Sequence, residues 1–132
     1  MIDSVLARAR SGIERYAPAE ATDADALIVD LRCGDIRERD GIVPGSVHVP
    51  RSVLEWRCDA ASGYANPLLV GRRLILMCEH GCSSSLAAAG LCALGVDVGD
   101  LVGGFQAWVE AGFPVAPAPA RADGLPGMGG PE

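Results

Sequence analysis

A chain of 132 residues with 49% hydrophobic and 21% charged residues has the size and balance of one soluble domain that can bury a core without disulfide staples. The net charge of −6, with no basic cluster, argues against nucleic acid as a partner. All eleven basic residues are arginine, which reads as coding bias rather than chemistry.

The start, Met1-Ile-Asp-Ser-Val-Leu-Ala-Arg8, lacks the cationic opening and apolar core of a secretory signal. No apolar run approaches the roughly 18–20 residues that cross a bilayer, so the expectation is a cytoplasmic protein with no membrane partner. Five cysteines, an odd number at irregular spacing (Cys33, Cys58, Cys78, Cys82, Cys92), are expected to be reduced thiols.

Apolar residues at 5, 6, 9, 13 and 16 predict an N-terminal helix over residues 3–16, stopped by Pro18, so that 1–17 form a helical lead-in. Residues 18–25 suit a short helical turn. Ala26-Leu-Ile-Val-Asp30 is a short continuous apolar run, the pattern of a strand buried on both faces of a parallel sheet. Residues 31–45 read as a polar connection, Ser46–Val49 as a second strand, and Ser52–Trp56 as one or two helical turns. A loop follows from Arg57 to Pro67.

Leu74-Ile-Leu-Met-Cys78 is the next strand, and it opens into a small polar loop with one glycine. The helix after it is expected from about Ser84 to Leu94, closed by Gly95. Val96–Val102 supplies a further strand, and Phe105–Ala111 a last helix ended by Gly112 and Pro114. Strands alternating with helices predict a three-layer α/β/α domain around a mostly parallel sheet of about five strands, spanning residues 18–115. Residues 116–132, mostly Pro, Ala and Gly, cannot bury enough surface to offset their ordering entropy and are expected to be disordered.

The chemistry concentrates at Cys78-Glu-His-Gly-Cys-Ser-Ser84. A cysteine at a strand end, facing a loop and a helix N-terminus, meets convergent backbone N–H groups and the positive end of a helix dipole, which favour its thiolate. Cys78 is therefore the expected nucleophile. Glu79, His80, Gly81, Cys82, Ser83 and Ser84 are expected to form the anion-binding loop around it, Gly81 granting the turn its backbone freedom. Cys82 is read as the occupant of a variable, outward-facing loop position, with a resolving thiol as the alternative. Cys78, His80 and Cys82 do not match zinc-ligand spacing and no fourth ligand is apparent, so no metal is expected.

Three separated pieces resemble the rhodanese family. Leu27-Ile-Val-Asp30-Leu-Arg32 with Gly41-Ile-Val-Pro44-Gly45-Ser-Val-His-Val-Pro50 is similar to the family's Asp-x-Arg segment and its Gly-x-Ile-Pro-Gly-Ala turn. Cys78-x-x-Gly81-x-Ser83-Ser84-x-x-Ala87-Ala88 is similar to its active loop Cys-x-x-Gly-x-Arg-Ser-x-x-Ala-Ala. Leu101-Val-Gly103-Gly104-Phe-Gln-Ala107-Trp108, with Ala111-Gly112-Phe-Pro114-Val115, is close to the family's C-terminal signature. Arg51-Ser-Val-Leu-Glu55-Trp56-Arg57 further resembles a bacterial single-domain subgroup.

The resemblance implies sulfurtransferase chemistry: sulfane sulfur carried as a covalent persulfide on Cys78, without a cofactor. Sulfur would pass from thiosulfate or a low-molecular-weight or protein persulfide to a thiol or cyanide. The implied partners are small sulfur donors and thiol acceptors, or a sulfur-relay protein. The chain departs from the family where Ser83 replaces the loop arginine, which weakens the case for dianionic thiosulfate. Arg51, Arg57 and Trp56 follow the carboxyl end of the second strand, on the expected active side, and are candidate substrate contacts. A non-enzymatic persulfide carrier or sulfur/redox sensor is the alternative. A phosphatase or arsenate reductase is disfavoured, because relatives of that kind need a loop one residue longer that ends in arginine.

Overall fold

The computed structural model describes residues 1–119. Its elements are helix α1 (Ile2–Ser11), strand β1 (Arg15–Tyr16), α2 (Pro18–Asp23), β2 (Leu27–Asp30), α3 (Gly34–Asp40) and β3 (Val47–His48). A 3-10 turn (Arg51–Val53) then runs into α4 (Leu54–Cys58), followed by β4 (Leu74–Met77), α5 (Ser83–Ala93), β5 (Val98–Leu101) and α6 (Gly104–Glu110). The five strands form one all-parallel sheet in the order β1-β5-β4-β2-β3.

The central strand β4 explains the architecture. Successive side chains of a strand point to opposite faces, so Leu74 and Leu76 enter one core while Ile75 and Met77 enter the other. All four are fully buried, which is why the segment reads as a continuous apolar run. The first core packs Leu74 and Leu76 with Val29, Leu54, Ala87, Ala88 and Leu91. The second packs Ile75 and Met77 with Ala21, Leu101, Phe105 and Trp108. Alanines along α5 leave little side chain between helix and sheet, so α5 lies close over β4 and β5. Trp108 closes the second face, its indole N–H donating to the Pro114 carbonyl at 2.8 Å.

Three details differ from the sequence expectation. The helix expected over 3–16 ends at Ser11, and Arg15–Tyr16 become the sheet's edge strand. There the Glu14 and Tyr16 carbonyls accept the amides of Asp100 (3.1 Å) and Val102 (2.8 Å), ladder bonds that outweigh further helix. The expected polar connection 31–45 contains α3, a short helix whose charged surface carries no apolar stripe to betray it. Ala116, placed in the tail, pairs its backbone with Ile42 through bonds of 2.8 and 2.9 Å. The disorder expected of residues 120–132 lies outside the described residues. Among the described residues no helix is long and apolar enough to cross a membrane.

Candidate active site

All strands being parallel, their carboxyl ends share one side of the sheet, and Cys78 follows directly on β4 there. The chain must reverse within five residues to start α5 at Ser83. Gly81 makes that reversal at φ +83°. An added Cβ at Gly81 would also stand 2.6 Å from the Gly103 amide, so both space and backbone conformation require glycine.

The loop is braced so that its carbonyls face outward and its amides face the sulfur. The Cys78 and Glu79 carbonyls accept the amides of Phe105 (2.8 Å) and Gln106 (3.1 Å), at the start of α6. The Gly81 carbonyl accepts from Arg10 (2.7 Å) and Arg15 (3.0 Å). Pointing the other way, the Gly81 and Ser84 amides donate to Cys78 Sγ at 3.1 and 3.4 Å. The thiol in turn donates to Ser84 Oγ at 3.3 Å, and that hydroxyl donates to Asp100 Oδ2 at 2.9 Å.

Burial pushes the Cys78 thiol up, but hydrogen bonds from the Ser83 and Ser84 side chains and the Ser84 and Gly81 amides outweigh it. The result is a thiol more acidic than an ordinary cysteine, the condition for a nucleophile. A serine hydroxyl carries one rotatable proton. While Cys78 is a thiol, Ser84 directs that proton to Asp100; once the sulfur ionises, the hydroxyl can turn to it, and Asp100 keeps its bonds from Ser85 and Arg15. Cys58 provides the contrast. Buried among apolar side chains, with Glu55 nearby, its thiol is pushed up to about 12.

The other expected loop residues take distinct places. Glu79 is partly buried and accepts from the Gln106 amide group at 2.8 Å. His80 and Cys82 are exposed on the loop's outer side, Cys82 lying 3.9 Å from an Arg10 nitrogen, while Ser83, exposed at the start of α5, turns its side chain to the Cys78 sulfur. Of the candidate substrate contacts, the two arginines are held by other partners. Arg51 pairs with Glu55 at 2.9 Å on the surface, and Trp56 is 45% exposed. Arg57 is fully buried and donates to the Tyr64 carbonyl at 3.0 Å. None of the three hydrogen-bonds to the Cys78 loop among the described residues. Arg32 has a structural place: with Arg37 it encloses the buried Asp30 carboxylate at 2.9–3.0 Å, and it stacks over Phe105 at 3.8 Å. Among the described residues, no group of three or more His, Cys, Asp or Glu is placed to hold a metal.

Sequence reasoning missed Arg10, Arg15 and Asp100, which lie directly behind the loop. One signal was available. Asp100 is a carboxylate inside an apolar strand, and a charge buried in a parallel sheet demands a partner. That partner is Arg15, opposite it in register on β1, with Nε 2.8 Å from Oδ1.

The family model for the rhodanese-like domain matches residues 15–111. The chain belongs to the rhodanese-like family. A Rhodopseudomonas palustris protein of unknown function, described as a possible tyrosine phosphatase, resembles this rhodanese-like protein at 35% identity over 88% of this chain and 94% of that one, with a TM-score of 0.81. A thiosulfate sulfurtransferase from Pseudomonas aeruginosa is 26% identical, with a TM-score of 0.64, over 79% of this chain and 19% of that one. A rhodanese-related protein from Thermoplasma volcanium shares the fold at 23% identity over 80% of this chain and 99% of its own, with a TM-score of 0.66. Comparison with curated proteins gave no match.

Proposed function

We propose that this rhodanese-like protein is a sulfurtransferase that carries sulfane sulfur on Cys78. The observation that carries the reading is the Cys78 sulfur itself, held by two loop amides and made more acidic than a free cysteine. In the first half-reaction the Cys78 thiolate attacks the outer sulfur of a donor RS–SH. The donor S–S bond breaks, RS⁻ leaves with the electron pair, and Cys78–S–SH forms. In the second, an acceptor thiolate attacks that outer sulfur and Cys78 leaves as the thiolate. Amides that stabilise the thiolate also stabilise the anionic persulfide, so neither half-reaction is stranded in a deep well.

Small persulfides are the favoured donors over thiosulfate, because Ser83 puts a hydroxyl where a cation would meet the sulfonate. The proposed acceptors are thiols or cyanide, the proposed setting is the cytoplasm, and the chemistry needs no cofactor beyond the Cys78 persulfide. Hydrolysis of a phosphate ester, the activity suggested for the R. palustris protein, places negative charge on the transferring group and calls for a cation beside it. This loop offers Glu79 instead.

The test is to load the protein with glutathione persulfide or thiosulfate and measure cyanide-releasable sulfur and turnover to a thiol. Wild type should load one sulfur and turn over, and Cys78→Ala should do neither. Loading without turnover would replace the enzyme with a persulfide carrier. Hydrolysis of p-nitrophenyl phosphate at a comparable rate would replace it with a phosphatase. Equal turnover in Cys78→Ala would remove the reading altogether.

A further inference from the structure

We propose that Arg10 and Arg15 supply, from behind the Cys78 loop, the positive charge that holds the Cys78 sulfur as an anion, with Asp100 setting how much of that charge the sulfur feels. The inference rests on the reading of Cys78 as the reactive thiol, and all three are positioning residues, since each acts through a group between it and the sulfur.

The geometry has two parts. Both guanidiniums pull the Gly81 carbonyl to the rear of the loop, at 2.7 and 3.0 Å. In a trans peptide the N–H lies opposite the C=O, so the Cys82 amide points away from the two guanidiniums and is polarised by them. The second part is charge balance. Arg15 binds Asp100 by two nitrogens, at 2.8 and 3.3 Å, while Arg10 reaches Ser85 Oγ at 3.1 Å, and Ser85 itself donates to Asp100 at 2.7 Å. Two cations and one fully buried carboxylate leave a surplus of one positive charge. An ionised Cys78, or its persulfide anion, is the charge that cancels it.

Of the remaining charged groups around the sulfur, Glu79 in the loop is a carboxylate held by the neutral Gln106 amide group, so it competes with the Cys78 anion for that surplus, while His80 and Cys82 are exposed. On the neighbouring strand β2, the Asp30 charge is met by Arg32 and Arg37. Asp100, in contrast, is linked to Cys78 through the single hydroxyl of Ser84. Without Arg15, its charge at that separation would raise the thiol. Arg10 lies before the segment matched by the family model, so this chain draws part of its site from outside the family domain.

The test reads ionisation and requires no sulfur transfer, so it stands or falls separately from the sulfurtransferase reading. The full chain is alkylated with iodoacetamide between about pH 5 and 10, and the Cys78 site is followed by mass spectrometry, because the exposed Cys33 and Cys82 react as well. Arg10→Ala and Arg15→Ala should each raise the Cys78 midpoint by about one pH unit. Arg15→Lys, which keeps the charge and loses the fork, should fall between wild type and Arg15→Ala. Asp100→Asn should move the midpoint down, opposite in sign. A scaffold without an electrostatic role would move none of them, or all in one direction, and either pattern overturns the proposal. Should Arg15→Ala fail to fold, Arg10→Ala, Arg15→Lys and Asp100→Asn decide it, and an unmoved Arg10→Ala midpoint in a protein with native circular dichroism counts against it.

Discussion

Gly104 is the residue on which the shape of the cysteine loop most depends. It sits at φ +62°, and a Cβ there would collide with the Cys78 carbonyl oxygen and lie 2.8 Å from the Glu79 carbonyl. Gly104→Ala therefore carries two costs. The left-handed backbone disfavours alanine by about 1–2 kcal/mol. The collision pushes the loop off the start of α6, loosening the Phe105-to-Cys78 and Gln106-to-Glu79 hydrogen bonds, worth roughly 0.5–1.5 kcal/mol each. The expected loss is about 2–5 kcal/mol, measured by urea unfolding at equilibrium. Gly95→Ala isolates the first cost, because Gly95 has a similar φ of +84° with no atom within 4 Å of the added methyl. The excess of Gly104 over Gly95 is the cost of the collision, and Cys78 alkylation should slow only in Gly104→Ala. Equal losses at the two positions, or an unaltered Cys78 rate, would refute the claim that α6 shapes the nucleophile loop.

Other perturbations have calculable signs. Asp30→Asn leaves the buried guanidiniums of Arg32 and Arg37 without their counter-charge and should cost about 3–5 kcal/mol in urea unfolding. Leu76→Ala, at a fully buried position in the central strand, should cost about 2–5 kcal/mol by the same measurement. His48 is half-buried and donates through Nε2 to the Arg32 carbonyl at 2.7 Å, and burial, followed by the Arg37 charge, lowers its pKa. Its unfolded form therefore binds a proton at higher pH than its folded form. The contribution is whole above the unfolded value near 6.5 and is lost as pH falls below it towards the folded pKa. Thermal melts at about pH 7.5 and 5.5 should converge in His48→Gln relative to wild type; an unchanged difference between the two would sink the assignment.

The parts of the fold readable in the sequence were those whose signal is local. Leu74–Met77 announces a doubly buried strand because all four side chains must be apolar, and Gly81, Gly95 and Gly103 mark reversals that other residues resist. Cys78 stood out because strand, loop and helix N-terminus are consecutive in the chain. The supports of the loop are not. Arg10 and Arg15 precede Gly81 by 71 and 66 positions, and nothing in their own neighbourhood distinguishes them from the surface arginines. Arg51 and Arg57, chosen because they follow the carboxyl end of β3, show the limit of that argument. Topology gives the correct end of the sheet, but whether a long side chain turns towards the site depends on nearer partners, here Glu55 and the Tyr64 carbonyl. The α3 helix escaped notice for a related reason: one of its arginines is buried by an ion pair to Asp30, so hydrophobic periodicity is silent there.

The sheet's two outer strands, β1 and β3, have two residues each. An unpaired strand edge is a template on which another chain can add hydrogen bonds, and length is what makes such a template adhesive. Pro18 follows β1 almost at once, while Pro44 and Pro50 bracket β3, and proline has no amide proton to offer an incoming strand. The sheet therefore stops laterally at both sides. Whatever chemistry Cys78 carries at the carboxyl end of the sheet, these short, proline-flanked edges present no long template on which copies of the chain would stack.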